Sequence, residues 1–516
     1  MKANSQLRRP RGSRFLGRRG TLLLLVLIAG PALLLLAARA VPALDPVFES
    51  IRFHLFVVSA IAGLALGVAL ATAVAAAKDG RAAPVLLGLG CVCVGFLMLA
   101  HGLTTPGIFG RPMNMWVGRL GTLALFGFAV CLGAAAWDRG PIARVAARAP
   151  TLTLLLPLVT LGAACAVISL DPAALWGSAP VPAEDQVRSL LQGVSAVVLF
   201  ASGSAHWRRW RLGRDRVELS LSIACWLAMS SILSLAFGEL WRLSWWDYHV
   251  YLLAGFGATC WAVVAEYRRS RSLSGAVAGI GVRDPVEQVA RGHPEALDAL
   301  IGAVEAKDPY THGHSLRVAE LSARIGLRLG LSPEALRGLH QGAYLHDLGK
   351  ISVPDQILNK PGELTDEEWV SIERHPTVGW ELASRARSLR DSLGAIRHHH
   401  ERWDGSGYPD RLAGDEIPLA GRIVAVADVW DALTSERAYR PAWAADRAVS
   451  HVASARGVLF DPVCVEAFLD VVKDSGIVPE LTRPDLETLL RSLEECHPVP
   501  ERRRRRAQSP AEVREA

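Results

Sequence analysis

Apolar residues crowd the first half of the chain and become much sparser in the second half. From about Thr21 to Glu266 the sequence is dominated by Leu, Ala, Val and Gly, whereas the residues after Tyr267 have the frequent charges of an ordinary soluble domain. Hydrophobic residues make up 51% of the 516 positions and the mean hydropathy is positive, which is unusual for a soluble globular chain. We therefore predict that the chain divides near residue 266.

Eight stretches of the first half approach the roughly 20 apolar residues that a helix needs to cross a bilayer core of about 30 Å. A basic segment precedes the first stretch, as in a signal peptide. However, the stretch is longer than the usual signal core of about 7–15 residues and other spans follow it, so we expect it to be retained. The pattern predicts an all-α, polytopic membrane domain. The predicted spans lie near residues 20–38, 53–77, 84–103, 117–136, 151–170, 190–206, 219–238 and 248–265.

The basic residues predict the side of the membrane that each loop occupies, because cytoplasmic loops carry an excess of Lys and Arg. The N-terminal segment, the loops at 78–81, 139–148 and 208–216, and the exit at 268–271 are basic and fall on one side. Both ends of the membrane domain, and with them the soluble half, are therefore predicted to be cytoplasmic. These loops and the arginine run at 502–506 explain most of the net charge of +6, so no nucleic acid polymer is expected as a partner.

Three histidines lie near the predicted ends of spans, at His54, His101 and His249. Polar groups in a membrane are costly and often functional, so these histidines could bind a metal ion, haem or a proton. A histidine near the end of a span can equally reach water without any ligand, and both interpretations stay open. The aromatic cluster at 241–248 is expected to anchor the protein at the membrane interface.

Residue types that bind metal ions recur in four clusters of the soluble half. His314 is followed by apolar residues 4, 7 and 11 positions later, which places it on the buried face of a helix. Taken alone, such a histidine is more often a core residue than a ligand. In the second cluster His346 and Asp347 are adjacent at the end of a helix that Ser332 caps, and together they can hold one cation.

The third and fourth clusters contain further histidines and a carboxylate. A capping box of Thr365 and Glu368 predicts a helix that ends at His375. Three histidines at 398–400 lead into the turn-rich sequence DGSGYP, and Asp428 lies within an otherwise apolar helix. A carboxylate in that setting needs a cation or strong hydrogen bonds. Each signal is weak by itself, but jointly the four clusters predict a metal site.

The ordered blocks DPYTHGHSLRVA, LHDLGK, LNKPGELTDEEW, RHP, HHERWDGSGYP, VADVWDALTSERAYR and FDP resemble the HD-GYP family of bacterial cyclic di-GMP phosphodiesterases. The resemblance covers roughly residues 293–475 and implies a cytoplasmic HD-type helical bundle. It also implies cyclic di-GMP as the substrate, and together with the predicted spans it implies a multi-pass protein of the inner (cytoplasmic) membrane. Its other partners are the lipid bilayer and an unidentified stimulus of the membrane domain, with a homodimer as one option.

The resemblance implies a role for individual residues. The implied metal ligands are His314, His346, Asp347, His375, His399, His400 and Asp428, with Asp347 bridging two ions. Asp347 and Lys350, the lysine of the HD-x-GK motif, are expected to be catalytic. The implied substrate-binding residues are Arg437 and Arg440, which match positions that hold phosphates, and Gly407, Tyr408 and Pro409 of the motif that names the family.

One position departs from the resemblance and changes the expected number of metals. Members with three metals have a glutamate four residues before the first histidine, where this chain has Tyr310. A neutral phenol is a poor ligand because its unperturbed pKa is about 10. Asp308 and Glu305 are off the one-turn spacing from His314, and we expect them to serve in a turn and in solvation. We therefore expect two divalent ions, and the mixture of His and carboxylate suits iron or manganese.

Two cations about 3.5–4 Å apart can acidify a bridging water and stabilise the entering and leaving oxygens of a phosphodiester, which agrees with the implied activity. Other functions stay open: a cyclic di-GMP receptor without turnover, an HD phosphohydrolase acting on another nucleotide, and a transporter with an attached regulator. The expected regions are a basic N-terminus at 1–19, the membrane domain at 20–266, a linker at 267–292 that is either a relay or a tether, the HD-GYP domain at 293–475 and a partly disordered tail at 476–516.

Overall fold

The computed structural model describes most of the chain, and within the described residues the backbone is helical, with two isolated β-bridges and no sheet. The all-α fold class is therefore confirmed. The chain divides into two units between Arg291 and Gly292. The described residues are 18–79, 81–108, 116–137, 140–170, 184–292, 295–308, 313–436 and 441–475.

The first unit is a bundle of long apolar helices joined by short connections. Its helices are α1 Arg18–Ala40, α2 Ile51–Asp79, α3 Ala82–Thr104, α4 Trp116–Trp137, α5 Pro141–Arg148, α6 Pro150–Leu170, α7 Glu184–Gly213, α8 Arg216–Phe237, α9 Leu243–Ser270, α10 Leu273–Val277 and α11 Pro285–Arg291. Most residues of α3 are buried, since this helix packs between α2, α4 and α6.

Seven helices among the described residues are long and apolar enough to cross a membrane. They correspond to seven of the eight predicted spans, and the bundle is compatible with a multi-pass membrane protein. The eighth predicted span, 20–38, lies in α1 and stays a prediction, because most side chains in the first part of this helix are outside the described residues. The seven are Ile51–Ala76, Ala82–Thr104, Trp116–Trp137, Pro150–Leu170, Asp185–Gly213, Arg216–Phe237 and Leu243–Ser270.

The residues that follow α9 pack back onto the first unit. Val277 and Ile280 are buried in its hydrophobic core, and Arg81 donates a hydrogen bond to the carbonyl of Ala278 at 2.7 Å. Further along, α11 contacts α7, where Gly213 lies against the backbone of Gln288. This part of the predicted linker is therefore fixed to the membrane helices.

The second unit is built from ten short helices among its described residues. They are α12 Glu295–Lys307, α13 His314–Arg328, α14 Pro333–Tyr344, α15 Asp355–Leu358, α16 Asp366–Glu373, α17 His375–Ser384, α18 Leu393–His398, α19 Leu419–Thr434, α20 Ala445–Ser454 and α21 Pro462–Ser475. The apolar faces of α13, α14, α19, α20 and α21 form one core that includes Val318, Leu339, Val424, Val452 and Phe468.

Local signals fix where several of these helices begin. The Ser332 hydroxyl accepts a hydrogen bond from the backbone N–H of Ala335, with Pro333 in the first turn of α14. Thr365 and Glu368 form the predicted capping box at the start of α16. Both predicted caps are confirmed, because each side chain satisfies a backbone N–H that has no partner within its helix.

A close backbone contact brings two of the histidine clusters together. A Cβ atom at Gly349 would lie 1.9 Å from the carbonyl oxygen of His375 and 2.6 Å from the backbone nitrogen of Gly379. Only glycine leaves room for this contact. The short helical turn after Asp347 can therefore pack directly against α17, which places Asp347 beside the first residue of that helix, His375.

Candidate metal centre

The metal-ligand residue types predicted from the sequence converge at helix ends in the second unit. His314 and His375 are the first residues of α13 and α17, and His399 and His400 follow α18 directly. These residues form two groups, and within each group one ligand atom of every residue lies within 4.8 Å of those of the other members. The first group is His314, His346 and Asp347, and the second is His375, His399 and His400.

Asp347 contacts both groups. Its Oδ2 atom lies 3.4 Å from His346 Nε2, and its Oδ1 atom lies 3.4 Å from His375 Nε2. The Nε2 atoms of His375 and His399 are 3.2 Å apart. One carboxylate thus presents an oxygen to each histidine group, as a carboxylate that bridges two cations would.

Asp428 completes the first group from α19. Its Oδ1 atom is 3.3 Å from His314 Nε2 and 4.0 Å from His346 Nε2. The other ring nitrogen of His314, Nδ1, donates a hydrogen bond of 2.7 Å to Asp431, which follows Asp428 by about one turn on α19. Arg317 donates to the same Asp431 carboxylate at 2.7 Å. Asp431 and Arg317 therefore orient His314 without taking part in the group themselves.

Three further histidines are oriented by backbone carbonyls. His346, His375 and His399 each place Nδ1 at 2.7–2.9 Å from the carbonyl oxygen of the residue three positions earlier. Because a carbonyl only accepts, each Nδ1 carries a proton, and Nε2 is the ring nitrogen that a metal ion can bind. Anchoring of the second ring nitrogen is the usual arrangement of metal-binding histidines.

The charges of the site suit a cation. Burial by itself raises the pKa of Asp347, but His346 and Lys350 outweigh burial and hold this pKa well below its usual range. Burial lowers the pKa of His375 to about 4, so its imidazole is neutral at pH 7. Burial also acts to lower the pKa of His314, but hydrogen bonds to Asp428 and Asp431 dominate and raise it to about 10. A metal ion in the first group would therefore replace a proton on His314.

Lys350 lies next to the centre and is partly buried. Its Nζ atom is 2.7 Å from Asp347 Oδ2 and 3.4 Å from Asp308 Oδ2. Burial disfavours the charged amine, but the two carboxylates outweigh it and raise the pKa of Lys350. Asp308 is buried, so the expectation that it serves in solvation is wrong. The partly buried Glu305 accepts a hydrogen bond from the backbone of Gly313.

The Gly-Tyr-Pro loop closes one side of the second histidine group. Tyr408 stacks on His400 with ring centroids 4.8 Å apart, and a Cβ atom at Gly407 would lie 2.5 Å from the carbonyl oxygen of His400. The buried carboxylate of Glu401 accepts hydrogen bonds from the backbone N–H groups of Asp410 and Leu412. Close backbone contact and Glu401 together hold the loop against the ligands.

Some predicted positions are outside the described residues, namely Tyr310, Arg437 and Arg440. The prediction of two metals and the phosphate-binding roles of the two arginines therefore remain predictions. The sequence does not identify Asp431 as part of the site, and its spacing of three residues from Asp428 on one helix is the one available signal of its contact with the site.

Asp431 leads to a prediction about metal affinity. In Asp431→Asn the amide keeps the shape but loses the charge that holds His314 Nδ1, so we expect metal to bind roughly 10–100-fold more weakly. The metal dissociation constant of the purified chain is the measurement. Asp470→Asn is the matched control, because Asp470 also pairs with an arginine, Arg328 at 2.7 Å, but on the surface. Equal affinities for the two variants would contradict the orienting role of Asp431.

Comparison with known proteins agrees with this geometry. Residues 298–464 match the family described as an HD domain. The cyclic di-GMP phosphodiesterase response regulator RpfG of Xanthomonas campestris pv. campestris (strain 8004) is 45% identical over 186 residues, which are 36% of this chain and 49% of that protein. A Thermotoga maritima protein named cyclic di-GMP phosphodiesterase is 44% identical over 182 residues, 35% of this chain and 50% of that protein.

A third relative has a different named substrate. The 3'3'-cGAMP-specific phosphodiesterase 2 of Vibrio cholerae serotype O1 is 39% identical over 178 residues, 34% of either chain. This chain spans half or less of the length of these three curated relatives. The second unit is a helical HD domain, and its histidine and aspartate groups fit the binding of divalent metal ions.

Proposed function

We propose that this chain is a membrane-anchored, metal-dependent phosphodiesterase that hydrolyses cyclic di-GMP to pGpG, GMP or both, under the control of its membrane region. The observation that carries the proposal is the position of Asp347, whose two oxygens face different histidine groups. Two relatives with 44% and 45% identity, named for cyclic di-GMP, support the substrate.

The donor set fits two divalent ions. His314, His346, Asp347 and Asp428 would hold one ion, and Asp347, His375, His399 and His400 the other. When bound, such a pair supplies a nucleophile from water at neutral pH and stabilises charge on the entering and leaving oxygens of the diester. No thiolate belongs to either group among the described residues, which favours iron or manganese.

The residues around the ligands prepare the site for this chemistry. The anchored Nδ1 atoms keep the Nε2 lone pairs directed inward, so little reorganisation is needed when cations and substrate bind. Lys350 stays protonated beside Asp347 and offers positive charge to an anionic diester. Arg437 and Arg440 are proposed to bind the phosphates, and Gly407, Tyr408 and Pro409 to shape the substrate side.

The membrane part of the proposal rests on the helices and on the basic loops. Seven helices are long and apolar enough to cross a bilayer, and the loops predicted to be cytoplasmic contain most of the arginines of this half. We propose the inner bacterial membrane as the location, with the HD domain in the cytoplasm and a stimulus acting at the membrane unit. A homodimer is consistent with this proposal and is tested by the mass of the solubilised chain.

Hydrolysis is tested directly on the full chain in detergent, stripped of metal and reloaded with Mn²⁺ or Fe²⁺. We expect cyclic di-GMP to be cleaved with a kcat/KM at least tenfold higher than that for 3'3'-cGAMP, a difference of about 1.4 kcal/mol. Chromatography of the products distinguishes pGpG from GMP. Binding of cyclic di-GMP without cleavage would make the protein a receptor, and preferential cleavage of 3'3'-cGAMP or another nucleotide would replace the proposed substrate.

The number of metals is a separate prediction. We expect two ions in the second unit, because Tyr310 stands where a third ion would need a carboxylate. Tyr310→Glu restores that carboxylate and is expected to raise the metal content of residues 290–475 towards three ions, measured by elemental analysis. Tyr310→Phe is the control and should leave two. Three ions in the unaltered residues 290–475 would show that another group, such as Asp308, supplies the ligand.

A further inference from the structure

A group of three histidines lies inside the first unit. His54 is on α2, His101 on α3 and His249 on α9, and one ring nitrogen of each lies within 4.8 Å of the others. All three side chains are buried, with at most 2% of any residue exposed. This burial argues against the interpretation in which histidines near span ends simply reach water.

Hydrogen bonds fix the protons on two of these rings. His101 Nδ1 is 2.8 Å from the carbonyl oxygen of Val117, which can only accept, so Nδ1 carries the proton. The Thr105 hydroxyl donates its single hydrogen to the carbonyl of His101 at 2.9 Å, so it accepts from His54 Nδ1 at 3.2 Å. A neutral imidazole has one ring proton. His54 and His101 therefore both keep a lone pair on Nε2.

The third ring, His249, places its Nε2 atom against the Nε2 atom of His54, and no arrangement of protons gives every nitrogen of this pair a partner. His54 Nε2 and His249 Nε2 are only 2.9 Å apart. In one arrangement His249 Nε2 donates a proton to His54 Nε2, and the Nδ1 atom of His249 then has a buried lone pair. This Nδ1 atom has no hydrogen-bond partner of ordinary geometry. If Nδ1 instead carries the proton, the backbone of Trp245 is the group placed to accept it, and two Nε2 lone pairs face each other. A cation between them satisfies both lone pairs.

Aromatic rings enclose the group. Trp245 lies 4.7 Å from His249 and 5.1 Å from His54 between ring centroids, and the Tyr248 hydroxyl donates to His101 Nε2 at 2.8 Å, a hydrogen bond that a metal ion on this nitrogen would displace. Trp245, Trp246 and Tyr248 are buried, so the expectation that this aromatic cluster serves as an interfacial anchor is wrong for these three. These rings pack directly against the buried histidines.

The donor set selects the kind of ion. The group contains three imidazoles and no carboxylate or thiolate, which disfavours Mg²⁺ and Ca²⁺ and suits zinc or copper. Tetrahedral bonds of about 2.0–2.1 Å put ligand nitrogens roughly 3.3 Å apart, so the observed pair needs to separate by only a few tenths of an ångström. His54 and His249 cannot both bind one haem iron, because a porphyrin does not fit between two nitrogens that are 2.9 Å apart.

We propose that His54, His101 and His249 form a binding site for one zinc or copper ion within the membrane unit. The anchoring of Nδ1 on two of the three rings is the arrangement that metal-binding histidines usually show. The site does not depend on the proposed phosphodiesterase activity, and each can be refuted while the other stands.

The test uses the full chain in detergent, stripped with a chelator and titrated with Zn²⁺ alone. His54→Gln and His101→Gln are each expected to bind one zinc fewer per chain than the unaltered protein, because the HD domain is the same in all three. Loading with Co²⁺ gives a second readout, the visible absorption of a nitrogen-rich site, which should be lost in the same variants. His206→Gln is the control, since His206 is also buried but pairs with Glu218 at 2.7 Å, and it should keep the full zinc content.

A milder variant keeps the test decisive if a histidine variant fails to fold. Thr105→Val preserves all three histidines and removes the acceptor of His54 Nδ1, while the His101 carbonyl that Thr105 also contacts keeps the hydroxyl of Thr104 as a donor, so zinc should bind about 10–100-fold more weakly. Equal zinc content in the unaltered chain and in both histidine variants would overturn the proposal. Unchanged affinity in Thr105→Val would overturn the proposed anchoring of His54 and with it the ligand assignment.

Discussion

Asp347→Ala is expected to abolish turnover of cyclic di-GMP and to lower the metal content of the chain. Asp347 contacts both histidine groups, so its loss removes an oxygen ligand from each. Loss of an outer partner of a metal ligand costs roughly 10–100-fold in affinity or activity, and loss of a shared ligand should cost more, on the order of 10³-fold in kcat. Elemental analysis and product chromatography on the same preparation measure both effects.

Two further variants separate ligand loss from other effects. Asp446→Ala removes an exposed carboxylate from the first turn of α20 and should change neither metal content nor kcat. Arg437→Ala should retain the metals and raise KM, because we assign Arg437 to the substrate phosphates. If Asp347→Ala kept its metals while Arg437→Ala lost them, the two roles would have been exchanged.

Gly349→Ala is expected to destabilise the second unit by at least about 3 kcal/mol, the upper part of the usual range for overpacking. The new Cβ atom would meet the backbone of His375 at 1.9 Å and that of Gly379 at 2.6 Å. Backbone atoms cannot rotate away as a side chain can, so α17 must move and carry His375 away from Asp347. The free energy of unfolding of residues 290–475, followed by circular dichroism in urea, is the measurement.

Gly302→Ala is the matched control for this substitution. Gly302 lies on an exposed face of α12 and has no heavy atom within 4 Å of the position that a Cβ would take. Alanine is favoured over glycine inside a helix by about 0.5–1 kcal/mol, so this variant should be slightly more stable. Equal destabilisation by the two substitutions would show that the tight contact at Gly349 is not the cause.

Much of the fold and of the site could be predicted because the relevant signals are local in the sequence. Runs of about 20 apolar residues specify membrane helices without reference to any partner, and seven of eight were matched. Ser332 and Thr365 act within three residues of their own positions, so their capping roles follow from sequence. His346 and Asp347 are adjacent, and their contact needs no knowledge of the rest of the fold.

The remaining features depend on partners far away along the chain. Asp308 follows α12, and only the packing of the second unit reveals that Lys350 lies within 3.4 Å of it. The histidine group of the membrane unit joins His54 to His249, which are 195 positions apart. Spacing within a single helix carries no information about such pairs. The positions of Arg437 and Arg440 stay predictions for a different reason, since they lie outside the described residues.

The histidine at the start of α13 lies 3.3 Å from Asp428, a proposed ligand of the same ion that is 114 positions later in the chain. Ions that join ligands so distant in sequence act as cross-links, and they bind the folded chain far better than the unfolded one. By mass action, an ion present at 100 times its dissociation constant adds about 2.7 kcal/mol of stability per site. A cell short of metal would therefore hold a less durable protein, so proteolysis would couple the amount of this protein to metal supply.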